Sequence, residues 1–191
     1  MRTEKVLTIL FLVGLLFKVL HWIGASQILA ISLMTIAMLY FPAAFYFFCD
    51  KVIKRQNIAL SIVSGLFLSL IPLGILFKIM YWRGGQVYLL TGLVTAPIIL
   101  AVIYFLKSKT ADELKTYYRN MFLRTSILTA LAFLFYLTPT STLLEIQYFR
   151  DPELARLKTL HYTYPDNYEY KKQHDDYISK RDSMYIYLNK Q

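Results

Sequence analysis

Gly14-Leu15-Leu16-Phe17-Lys18-Val19-Leu20-His21-Trp22-Ile23-Gly24 recurs 60 residues later as Gly74-Ile75-Leu76-Phe77-Lys78-Ile79-Met80-Tyr81-Trp82-Arg83-Gly84. Gly14, Leu16, Phe17, Lys18, Trp22 and Gly24 each meet an identical residue in the second copy. Each copy closes one apolar run and opens another. The unit therefore reads as a helical hairpin, with the Lys-x-x-His/Tyr-Trp-x-Gly segment at its corner. The expected fold is an all-α membrane protein: two tandem duplicated hairpins, a fifth transmembrane helix, and a small helical C-terminal tail.

The rest of the composition agrees with a bilayer. The chain has 191 residues, of which 57% are hydrophobic and 17% charged. A soluble domain of this size has too little interior to hide that much apolar surface, whereas each membrane span needs about 20 apolar residues. The net charge of +9 raises nucleic acid as a partner. The basic residues, however, gather in the connections between apolar runs, as the positive-inside bias places them, and no nucleic-acid role is expected. Cys49 is the sole cysteine, so no intrachain disulfide can form and a buried thiol is expected.

Five apolar runs follow one another, at about 6–20, 27–48, 58–80, 87–106 and 121–137. The first opens after Met1-Arg2-Thr3-Glu4-Lys5 but has no small-residue cleavage site behind it, so it reads as a retained span. Ser26 is the expected N-cap of the second. Pro42 is expected to bend its span and the fourth span carries Pro97, and neighbouring helices make such prolines tolerable in a membrane. Thr110 and Glu113 form a capping box that starts a lead-in to the fifth run. Arg124 sits in that run and is expected to snorkel to the headgroups. The organisation expected is a first hairpin at 1–50, a second at 51–109, a lead-in and fifth span at 110–142, and a Tyr-rich tail at 143–191.

Arg2 and Lys5 precede the first span; Lys51, Lys54 and Arg55 join the second to the third; Lys107, Lys109, Lys115, Arg119 and Arg124 join the fourth to the fifth. The corners carry only Lys18, Lys78 and Arg83. The bias puts the N-terminus and both linkers in the cytoplasm and the corners outside. Five spans leave the tail outside as well. In that tail eight acidic residues balance eight basic ones. Asp151-Pro152-Glu153 starts a short helix to about Leu160, with proline at a first helical position, and Pro165-Asp166 starts a longer one. The tyrosines, among them Tyr148, Tyr162, Tyr164, Tyr168, Tyr170 and Tyr177, suit a membrane interface.

All twelve acidic residues lie outside the apolar runs. Proton- and sodium-coupled machines keep a titratable group in the membrane despite its cost, and no carboxylate is present in these runs. His21 could serve as a relay or metal ligand, but Tyr81 holds its place in the second copy, which favours an interfacial ring. Lys18 and Lys78 could hold lipid phosphate or turn carbonyls. Snorkelling at a helix end is the plainer expectation, with Trp22 and Trp82 as interface anchors. His161 and His174 lack metal-ligand spacing, so neither a metal nor a cofactor is expected. No phosphate loop or nucleophile elbow occurs, and no catalytic residue is assigned.

At its corner the sequence resembles the membrane hairpin of the GldL family, the inner-membrane subunit of the Bacteroidota gliding-motility and type IX secretion motor. That family carries a Gly-x-Leu-Phe-Lys-Ile-x-His segment, matched here from Gly14 and again from Gly74. The likeness covers roughly residues 6–48 and 66–106 and implies a hairpin fold in a bacterial inner membrane, multi-pass, with a cytoplasmic N-terminus. The family's second helix holds a membrane-embedded glutamate implicated in ion-driven torque. Residues 27–48 and 87–106 contain no acid, so motor activity is not implied.

The function expected is non-enzymatic, a scaffold or accessory subunit of a membrane complex. The alternative is an ion-conducting or small-solute transport protein whose pathway runs between the hairpins past Lys18, Lys78 and His21. The partners are the lipid bilayer, a protein of the same complex, or a second copy of this chain. The residues singled out are those of the repeated corner: Lys18, His21, Trp22, Gly24, Lys78, Tyr81, Trp82 and Gly84.

Overall fold

The computed structural model describes the backbone of residues 2–20, 22, 24–48, 58–109 and 112–188. It describes their side chains except at 2–5, 42–48, 112–113 and 184–188. His21, Cys49, the charged connector at 50–55, the capping box of Thr110 with Glu113 and the Pro42 side chain lie outside the described residues.

Among the described residues there are eight helices and no strands. They fall into two compact units, divided between Leu137 and Thr138. The first contains α1 (Arg2–Val19), α2 (Ala25–Phe48), α3 (Ile58–Ile79), α4 (Gly85–Lys109) and α5 (Asp112–Leu137). Each helix packs on the next, and α3 also packs on α5. The seam between α2 and α3 is the most extensive. Residues 112–120 of the lead-in and the fifth apolar run thus form one continuous helix.

The outward faces of this unit are apolar. Val6, Ile9 and Leu16 of α1, Val94, Ile98 and Phe105 of α4, and Ile127 and Leu134 of α5 are exposed. The inward faces are apolar too, with Leu29, Leu68, Ile71, Leu89, Ile103 and Met121 buried. A helix that is hydrophobic all round needs a nonpolar solvent. α3, α4 and residues Leu114–Leu137 of α5 are each long and apolar enough to cross a membrane, and Val6–Val19 and Ala25–Phe41 are shorter apolar helices. The unit is a helical membrane bundle.

Close approach within the hairpins depends on glycine. A Cβ on Gly14 would stand 3.0–3.2 Å from the side chains of Ile28 and Leu29. One on Gly74 would stand 2.8 Å from Leu89 Cγ and 2.9 Å from the Leu89 backbone nitrogen. Small residues let backbones meet where no hydrophobic effect drives helices together. Ser61 of α3 hydrogen-bonds the Tyr117 hydroxyl of α5 in the buried interior.

The second unit contains α6 (Thr140–Gln147), α7 (Pro152–Thr163) and α8 (Tyr168–Leu188). Sequence patterning did not suggest α6, an eight-residue helix behind Pro139 that buries Leu144. Asp151 caps α7 by accepting from the Leu154 amide at 3.1 Å, beside Pro152 at the first helical position. α8 begins at Tyr168, three residues after Pro165. The cap there is Asn167, whose Oδ1 accepts from the Glu169 amide at 3.0 Å, the role short polar side chains fill at helix starts. Tyr177 of α8 donates to Asp151 at 2.7 Å and so ties α8 to the start of α7. His161 and His174, 13 residues apart in sequence, stack with ring centroids 5.5 Å apart.

Candidate functional site: the two helix corners

The second corner shows why the motif has its spacing. The Trp82 amide donates to the Phe77 carbonyl at 2.8 Å, and the Tyr81 amide to the Lys78 carbonyl at 3.3 Å. Tyr81 has φ 58°, in the left-handed region that usually takes glycine. These features define a Schellman helix stop, with Phe77 at C3, Tyr81 at C′ and Trp82 at C″. Such stops are commonly closed by an apolar contact between C″ and C3. Here it is the Phe77–Trp82 ring pair, with centroids 5.2 Å apart. A phenylalanine and a tryptophan five residues apart are therefore two sides of one cap.

The described part of the first corner has the same tryptophan-to-phenylalanine bond. The Trp22 amide donates to the Phe17 carbonyl at 3.0 Å, and the two rings lie 4.6 Å apart. Gly24 and Gly84 then turn the chain with φ 91° and 92°. Their carbonyls accept from Ile28 at 3.1 Å and Tyr88 at 3.3 Å. Gly24 is thus the N-cap of α2 rather than Ser26, which lies inside the first turn. Glycine takes that place because a left-handed residue must link the two helices. Trp22 and Trp82 are both exposed.

The two lysines differ. Lys18 donates to Ser26 Oγ at 2.9 Å, and its Nζ stands 5.9 Å from the centre of the Tyr81 ring. That contact joins the first corner to the second. Lys78 does not snorkel: it is 3% exposed, and its ammonium donates to the carbonyls of Phe135 and Tyr136. Those carbonyls belong to the last turn of α5, where a helix has acceptors without intrahelical donors. A cation there also meets the negative end of the helix dipole. Gln86 stands where Ser26 stands in the first copy, so Lys78 has no local hydroxyl of that kind and reaches across to α5. Lys18 of α1 thus reaches the Tyr81 ring just beyond α3, and Lys78 of α3 reaches the end of α5, so each contact lies two helices beyond the lysine's own.

A cavity of about 440 Å³ opens in the same unit between α1, α2, α3 and α5. Arg124 is half-buried and lines it. Among the described residues no group of three or more His, Cys, Asp or Glu side chains converges on a metal-sized space.

The bundle and its corners define a multi-pass helical membrane protein. Residues 8–56, 49 of the 191, match the family model of the GldL N-terminal domain, a stretch that holds the first corner. No curated protein and no solved structure matches the chain significantly.

Proposed function

We propose that the protein is a non-enzymatic, GldL-like subunit of a bacterial inner-membrane complex that acts as a scaffold or accessory component. The observation that carries this reading is the similarity of residues 8–56 to the GldL N-terminal domain. The second hairpin is read as a tandem duplicate of the first. Six identities support this, together with the shared amide-to-carbonyl bonds of Trp22 and Trp82 and the parallel seating of Gly14 and Gly74 against Leu29 and Leu89. In this reading α5 crosses as a fifth span, the N-terminus is cytoplasmic, and the exposed Trp22 and Trp82 face the partner. α2 and α4 carry no carboxylate, so the reading stops short of ion-driven torque.

The test is photocrosslinking in native membranes from positions 22 and 82, followed by purification in mild detergent. A discrete adduct with another membrane protein, formed from both positions, is expected. A bare monomer without adducts overturns the scaffold reading.

A further inference from the structure

The turn that joins α6 to α7 carries side chains that turns seldom carry. The Asp151 amide donates to the Tyr148 carbonyl at 2.8 Å, which makes 148–151 a β-turn with Phe149 and Arg150 at its two central positions. Such positions favour proline, glycine and short polar residues. Phe149 is 61% exposed and Arg150 is exposed as well. The guanidinium carbon lies 5.4 Å from the centre of the Phe149 ring. Three residues before Phe149, Ile146 in the last turn of α6 is 49% exposed. The tip thus presents two apolar side chains with a cation beside them, and the neighbouring Glu145 is exposed too.

Area and tether decide what such a tip can hold. An aromatic side chain has about 150–250 Å² to bury, so Phe149 offers roughly 90–150 Å², and Ile146 adds a smaller share. A specific interface with a free protein takes about 800 Å² from each partner, and a docked helix needs a groove, which the tip of a turn does not supply. A bilayer asks for neither. It takes up apolar side chains in proportion to their area, while arginine keeps its charged head at the headgroups. Phe149 lies 12 residues beyond Leu137, where an apolar helix long enough to cross a membrane ends. α6 rises about 12 Å and the four residues around it add at most about 14 Å. Phe149 is therefore tied within about 26 Å of the end of that helix. So short a tether makes a weak insertion an intramolecular event at high effective concentration.

We propose that the α6–α7 turn anchors the second unit to the bilayer surface, with Phe149 and Ile146 in the upper acyl region of the leaflet and Arg150 at the phosphates. Glu145 offsets the charge of Arg150, so zwitterionic lipid suffices. The inference rests on α5 lying in the membrane and not on the scaffold role, so either can fail alone.

The experiment places the full chain in nanodiscs of phosphatidylcholine that carries a diazirine in the upper part of one acyl chain. After irradiation, labelled peptides are mapped by mass spectrometry. Label is expected at Ile146 and Phe149, above the level at residues 171–173, whose polar side chains in α8 are exposed. Phe149→Ser should lose the label at Ile146 and Phe149→Leu should keep it, with amide exchange in α7 checking that each variant folds. Label at 146–149 no higher than at 171–173, label at Ile146 that survives Phe149→Ser, or equal loss in both variants overturns the proposal. So does a photocrosslinker at position 149 that, in native membranes, gives an adduct with a protein, a second copy of this chain included, in place of lipid.

Discussion

The ammonium of Lys78 in α3 donates to the carbonyl of Tyr136 in α5 at 3.2 Å, across 58 residues of sequence. It also serves the Phe135 carbonyl, so one buried cation satisfies two acceptors at a helix end. Lys78→Met removes the donor and leaves both carbonyls in an apolar setting. The expected loss is about 2 kcal/mol, read as a lower melting temperature in detergent and faster amide exchange in the last turn of α5. Lys18→Met, whose donor meets a half-buried hydroxyl, should cost about 0.5 kcal/mol. Equal effects would deny the difference drawn between the two corners.

The paired glycines should not respond alike. At Gly74 a new methyl meets backbone at 2.9 Å as well as the Leu89 side chain, so α3 and α4 have to separate. At Gly14 the neighbours are side-chain atoms at 3.0 Å or more, which can rotate. Gly74→Ala should destabilise by about 2 kcal/mol and Gly14→Ala by under about 1 kcal/mol, in the range for overpacked interiors. Melting of the two variants side by side decides it.

Tyr81 occupies a left-handed position at φ 58°, which costs an L residue about 1–2 kcal/mol. The Lys18 contact at 5.9 Å from the ring centre, near the limit of cation–π attraction and worth about 0.5 kcal/mol, offsets part of that cost. Tyr81→Gly should therefore raise the melting temperature slightly. A fall would mean that the ring does more at the corner than this balance allows.

In the second unit the hydrogen bond to Asp151 is the main cause that raises the Tyr177 phenol above its ordinary value of 10.0, with desolvation adding to it. A group whose folded value is raised stabilises fully below its unfolded value and loses that contribution as pH rises through the folded one. Stability should therefore fall above pH 10, and Tyr177→Phe should flatten that part of the profile. Alkaline titration followed by tyrosinate absorbance and circular dichroism tests this, with Tyr177 expected to ionise above its ordinary value.

The helices of the bundle were legible because apolar runs and their breaks are local signals. The apolar runs at 58–80 and 87–106 correspond to Ile58–Ile79 and Gly85–Lys109, and Thr138-Pro139 ends α5. α6 was not legible, since eight residues with one buried leucine give too short a period to read. The corner was found by repetition, yet its meaning was missed. Trp22 and Trp82 read as interface anchors, whereas their spacing from Phe17 and Phe77 is that of a helix stop. The partners of Lys78 could not have been read at all. Its acceptors are backbone carbonyls, which every residue carries, and only packing selects Phe135 and Tyr136. The His161–His174 stack escaped for the same reason, because a tight return between α7 and α8 brings the rings together.

The order in which the chain is made gives the Lys78 contact a further consequence. The ribosome adds the lysine 58 residues before Tyr136, so the first four helices enter the membrane with this charge still lacking its final acceptors. Docking α5 supplies those acceptors, so a nascent chain cut short before residue 135 keeps an open end on α3.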